Sequence, residues 1–382
     1  MKQHLMTMLC LLALSGPAHA CIWDRDTLAM ERARFPEVNE LIVGYFPRHS
    51  PAYYEWRKQQ VLSIHMQDRT PASYDDLGAS YDKLGEHDKA IETMLAKFER
   101  YPDQGVYETH ANLGTFYIHN GELEKGAQYI GSAIEINPDA HFGREVYQKL
   151  LVEYVIEQRA TGNRLPLERY PRRAAFAEFV TRNMPIDEDP FGSDSTADDD
   201  RDAEVKRAIK GVLGMMRFGN YDSPVLLEVL GDLLQTQSED HHGLQRLAAR
   251  AYLKASYEVE DPEVANQYRE KAKSALRMQE GVDLASIEKA LKKEIAKGDS
   301  YFVQIEADEK AWIEAGDDVD AKFIEKYYDA EPALTQSVLS KGADRLSSFS
   351  IQDKLLIVVI GGILVLVIFA IARPLLRAKR KA

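Results

Sequence analysis

Through the middle of this chain apolar residues recur every three or four positions, the spacing of a helix with one buried face. The pattern predicts helices over 27–34, from Pro51 to about 65, and over 140–159. In the third of these Phe142, Val146, Leu150, Leu151, Tyr154 and Val155 share one side. It resumes over 172–183, 203–218, 224–235, 241–259 and 262–279, and residues 282–315 read as one or two charged helices. Asp26 suits the N-cap of the first helix and Pro51 the first turn of the second. Pro166 and Pro171 interrupt the pattern, and Gly219-Asn220 marks a turn. The fold class is therefore all-α.

Between residues 71 and 140 the helical pattern is also a repeat. Tyr74-x2-Leu77-Gly78-x2-Tyr81 returns as His110-x2-Leu113-Gly114-x2-Tyr117, and a second apolar helix and a proline follow each copy. Ala90, Met94 and Pro102 complete the first copy; Gly126, Ile130 and Asn137-Pro138 complete the second. This resembles the tetratricopeptide repeat (TPR), a helix-turn-helix unit of about 34 residues. Small residues at 78, 90, 114 and 126 suit points where paired helices cross, while Leu and Tyr fill the seam. Two features depart from the family pattern. His110 stands at an aromatic position and is expected in the core, and the 36 positions from Leu77 to Leu113 exceed the usual period.

The resemblance implies a TPR-like α-solenoid of antiparallel helix pairs. Residues 21–70 then form an N-terminal helical cap over the open end of the first repeat, 71–140 the two repeats, and 141–186 helices that seal them. An acidic linker over 187–202 leads to a second helical region, 203–315, where Leu230-Gly231 with Leu234 echoes the repeat signature as a degenerate TPR-like unit. Residues 316–354 read as a polar stalk.

The ends carry different signals. Residues 1–20 join Lys2, a short apolar run and Ala18-His19-Ala20, the order of a secretory signal peptide. Residues 355–372 are uncharged and apolar, long enough to cross most of a ~30 Å hydrocarbon layer as a single C-terminal transmembrane helix. Arg373, Arg377, Lys379, Arg380 and Lys381 follow without an acid, which places the 373–382 tail in the cytoplasm. The expected location is the bacterial inner membrane, single-pass, with the N-terminal domain periplasmic. The absence of any Asn-x-Ser/Thr sequon agrees with a bacterial envelope.

Charge and cysteines narrow the partners. Without Lys2 and the five tail cations, the formal charge of −13 becomes −19, a surface that repels phosphate backbones and excludes nucleic acid as a partner. The two cysteines are Cys10, inside the signal, and Cys21, the first mature residue, so no internal disulfide forms. Cys21 is lipidated, free or paired with another chain.

No glycine-rich phosphate loop, nucleophile elbow or H-E-x-x-H motif occurs, and no catalytic residue, metal ligand or cofactor is expected. The acidic linker lacks the spacing of a calcium loop, and His241-His242 point in different directions on a helix. Stacked repeats leave a concave groove lined by the first helix of each unit. On this chain the resemblance places there Ala72, Asp75, Ala79, Asp82 and Lys83 from the first repeat, and Glu108, Ala111, Thr115, Ile118 and His119 from the second. Where one TPR class grips a C-terminal carboxylate with lysines and asparagines, the corresponding places here hold Asp75, Ala79, Ala111 and Thr115, so that clamp is absent. The expected function is a periplasmic, membrane-anchored adaptor or scaffold for another protein. One alternative is a metal- or haem-handling protein or enzyme with a site around Cys21, Trp23, Asp24 and Asp26; another is a self-associating structural protein.

Overall fold

The computed structural model describes residues 22–138, 143–162, 164–171, 174–184, 197–237, 241–277 and 282–329. The expected signal peptide, Cys21, residues 187–196 of the linker, the transmembrane helix and the basic tail lie outside these residues, as do the side chains of His241 and His242. No strand occurs among the described residues, which bears out the all-α reading, and none of their helices is long and apolar enough to cross a membrane.

In chain order the helices are α1 (Arg25–Arg32), α2 (Val38–Ile42), α3 (Pro51–Ser63), α4 (Pro71–Lys83), α5 (His87–Arg100), α6 (Val106–His119), α7 (Leu123–Ile136) and α8 (Arg144–Ala160). There follow α9 (Ala175–Asn183), α10 (Ala197–Phe218), α11 (Pro224–Thr236), α12 (His241–Tyr257), α13 (Pro262–Ala275), α14 (Leu284–Ala315) and α15 (Val319–Phe323), the last continued by a π-helical turn over Ile324–Tyr328. Ser50, Thr70, Ser223 and Asp261 each accept a hydrogen bond from a first-turn N–H and precede a proline. The cap satisfies a donor left open at a helix start, and proline adds a pre-set φ where no N–H is needed, so these starts are fixed locally. Asp24, not Asp26, caps α1, forming a capping box with Thr27.

Each helix packs on the next from α3 to α8, and the stack continues through α10, α11, α12 and α13. In the second repeat α6 and α7 meet at backbone distance. A Cβ on Gly114 would lie 2.9 Å from the Ile130 nitrogen, and one on Gly126 would lie 2.4 Å from Ile118 Cγ1 and 3.0 Å from the Gly114 carbonyl oxygen. The small residues thus permit the crossing, and Ile118 and Ile130 are fully buried beside it, each side chain worth ~2–3 kcal/mol of burial. Gly231 repeats the device against the Tyr252 ring, 2.6 Å from its would-be Cβ, between α11 and α12. His110 is only half-buried, its ring 5.7 Å from Phe98 and 5.6 Å from Tyr129.

The structure corrects three boundaries and decides a fourth point, whether residues 282–315 form one helix or two. Helices α8 and α9 do not seal the repeats, because α8 also packs on α10, and α9 on α10 and α11, so the stack runs on. Residues 197–202 belong to the start of α10 and not to a linker. Residues 284–315 form one helix, α14, which returns to touch both α12 and α3. The beginning of the expected stalk is core: Val319 and Phe323 are buried, and Phe323 and Tyr327 pack on Ile305 of α14.

A further correction bears on function. Residues 22–48 do not cap the open end of the first repeat. They run along the inner face formed by α4, α6, α8, α10 and α12: α1 packs on α4 and α2 on α10 and α12, while Arg144 of α8 pairs with Glu31 at 3.0 Å.

Candidate functional site

The first helices of the two repeats, α4 and α6, carry the residues expected to line a groove, and most are covered. Asp75, Ala79, Asp82, Ala111, Thr115, Ile118 and His119 are all buried, Ala72 is exposed, and Lys83 and Glu108 are half-buried at the rim. The cover is the chain's own N-terminal segment. Ile22 is buried in the repeat core with Ala79, Leu113 and Phe116. The Trp23 backbone is held in both directions by one side chain: its N–H donates to Asn112 Oδ1 at 2.7 Å, and Asn112 Nδ2 donates to its carbonyl at 2.9 Å. The indole meets Tyr107 edge-on, with centroids 5.9 Å apart. A primary amide pairs with an extended backbone in this way whatever the sequence, while the Trp23 and Ile22 side chains fit specific neighbours.

Charge fixes the next turn. Arg57, fully buried on α3, donates to Asp24 at 2.9 Å, Asp26 at 2.6 Å and Asp76 at 2.6 Å. Burial opposes charge on all of them, yet Asp24, Asp26 and Asp76 drive the Arg57 pKa well above its usual value. Burial also works against the Asp24 carboxylate, but Arg57 holds its pKa below the ordinary range; at Asp26 burial wins and the pKa rises. The Tyr53 hydroxyl donates to Asp320 at 2.7 Å, and Arg25 pairs with the same carboxylate at 3.2 Å, which draws α15 into the network. His49 Nδ1 lies 2.6 Å from Glu309 Oε1, and Glu309 Oε2 accepts the Ser50 N–H at 2.9 Å, tying α14 to the start of α3.

Deeper in the repeats, Lys97 donates to both oxygens of Asp75 at 2.7 and 2.8 Å, and burial still pushes the Asp75 pKa up to about 7. At the opposite end of α4, Asp82 faces two imidazoles. His119 Nδ1 is 2.7 Å and His87 Nδ1 2.9 Å from its Oδ1. Burial disfavours the charge there, but His119 and His87 hold the Asp82 carboxyl well below the usual range. Next to it, Lys83 donates to the carbonyls of Phe218 and Gly219 at 2.7 and 3.0 Å, capping the C-terminus of α10.

A cavity of about 540 Å³ lies beside Lys83, where Arg48, Arg217, Asp222 and Asp299 also contribute to its wall. Arg217 Nη2 donates to the Met30 carbonyl at 2.6 Å, and burial lowers its pKa to about 10.

The inner face thus brings the predicted groove residues together but turns them toward partners inside the molecule. Asp24 and Asp26, offered by the sequence as part of a metal or haem site, are engaged by Arg57. Arg57, Asn112, His49 and Glu309 were missed by sequence reasoning, as was the grouping of Asp82 with His87 and His119. The one hint was the dense Trp23-Asp24-Arg25-Asp26 opening, whose charges all find partners from other helices.

Comparison with known families identifies a tetratricopeptide repeat at residues 107–140, spanning α6 and α7. No curated protein matches the chain.

Proposed function

We propose that this chain is a TPR adaptor that binds another protein in the bacterial envelope, exported by residues 1–20 and held at the inner membrane by residues 355–372. The TPR repeat supports a protein-interaction role. The observation that carries the reading is the occupied inner face. With Asn112 gripping the Trp23 backbone and Ile22 sunk between the repeats, this surface already holds a polypeptide segment of its own chain. The rim at the exposed Ala72 and half-buried Glu108 is where a partner meets it. The acidic charge balance of the sequence favours a neutral or basic partner segment.

The test is a photocrosslinking amino acid placed at Ala72 or Glu108 in cells. Capture of one defined protein from both positions supports the adaptor. Recovery of nothing above background, or only of a second copy of this chain, counts against it, the latter in favour of self-association.

A further inference from the structure

We propose that Asp82, His87 and His119 form a binding site for a divalent ion of borderline softness, with Zn²⁺ the best match. The three residues come from three helices that end at one place: Asp82 from the last turn of α4, His87 from the first residue of α5, and His119 from the last residue of α6. One ligand atom from each lies within 4.8 Å of the other two. Asp82 and His119 are buried, and the His87 side chain keeps 23% of its surface, which leaves one way in for an ion.

Two imidazoles and one carboxylate are a donor set for Zn²⁺ and its neighbours rather than for Ca²⁺ or Mg²⁺, which take oxygen ligands. In the structure both Nδ1 atoms converge on the same carboxylate, at 2.7 and 2.9 Å. Ligands at about 2.0–2.1 Å around a tetrahedral ion stand roughly 3.3 Å apart, so each histidine must retreat by about half an ångström. His87 can do so, since it stands at a helix start beside the Gly85 turn. In the metal-bound state each neutral imidazole carries its proton on Nε2 and turns Nδ1 to the ion, Asp82 supplies one oxygen, and water completes the fourth position on the His87 side. Such an ion would staple the ends of α4, α5 and α6, both repeats at once. The sequence hides the site because Asp82, His87 and His119 are spaced unlike any helical or loop metal motif.

The experiment uses untagged full-length protein in detergent, stripped with a chelator and titrated with Zn²⁺ alone against a chromophoric competitor, with Co²⁺ as a spectroscopic probe. One equivalent of Zn²⁺ should bind, Co²⁺ should give the strong visible bands of a tetrahedral site, and His87→Ala should weaken Zn²⁺ binding at least tenfold. His87 is chosen because it is the most exposed of the three, and circular dichroism reports whether the variant folds. Absence of a stoichiometric site overturns the proposal. So does Zn²⁺ binding that survives in His87→Ala but is lost in the double variant His241→Ala, His242→Ala.

Discussion

Replacing Gly298 by alanine tests the placement of α14 by the sign of its effect. Gly298 sits inside that helix, where alanine ordinarily stabilises by about 0.5–1 kcal/mol because glycine has more backbone freedom to lose. Here the helix lies against the turn at Val43-Gly44. A Cβ would stand 2.2 Å from the Val43 carbonyl oxygen and 3.1 Å from the Gly44 carbonyl carbon. These are backbone atoms that no rotamer change can move. The turn is also held from behind: Gly44 has φ +69°, its would-be Cβ lies 2.7 Å from the Tyr221 ring, and its carbonyl accepts from Arg48 at 2.7 Å. Overpacking of this kind costs about 1–3 kcal/mol, so the net effect of Gly298→Ala is a loss of roughly 1–2 kcal/mol. Gly131→Ala is the matched control, since its nearest neighbour is Lys149 Cε at 3.6 Å, and it should stabilise by about 0.5–1 kcal/mol. Urea denaturation followed by circular dichroism measures both. If Gly298→Ala stabilises as Gly131→Ala does, α14 does not lie on that turn and the closure of the fold described above is wrong.

Three further outcomes are expected. Arg57→Met removes the buried cation that Asp24, Asp26 and Asp76 share and should cost about 3–5 kcal/mol, with new protease cleavage over residues 22–32 as the direct readout. Asn112→Ala removes both bonds to the Trp23 backbone; it should cost about 1–3 kcal/mol and speed amide exchange at Trp23, and unchanged exchange there would contradict the clamp. Glu288 accepts from Arg269, Tyr257 and Lys292, and the Arg269 hydrogen bond above all lowers its pKa to about 2, below the usual carboxylate value near 4.5. Its contribution is complete above that usual value and is lost as pH falls through about 2. Glu288→Gln should therefore flatten the acid limb of the stability profile and leave the alkaline limb unchanged.

Most helices were legible because their causes are local: apolar period, Ser, Thr or Asp caps, and prolines at the first turn. Gly114 and Gly126 were legible as well, since a crossing that close admits little else. The inner face was not. Asp75, Asp82 and His119 are polar and read as solvent-facing, but each has a partner far along the chain: Asp75 is held by Lys97, Asp82 by His119, and Asn112 holds Trp23 from 89 positions away. Pairings at such separations leave no mark on periodicity. Composition misled at residues 316–329 for a related reason. Their many charges conceal Val319, Phe323 and Tyr327, which are spaced four apart and buried, the last two against Ile305 of α14. The α1 cap failed by two residues, because Asp24 and Asp26 offer the same chemistry and only the fold decides between them.

Asp320 receives Arg25 and Tyr53 at once, so residues from near the first and last described positions share a single carboxylate. The described part of the chain is latched from its start to its end. A pull on the chain at residue 329 must therefore strip Tyr327 and Phe323 from Ile305 of α14 before it reaches Asp320, and Arg25, the neighbour of the segment that Asn112 holds, then keeps its contacts with Asp76.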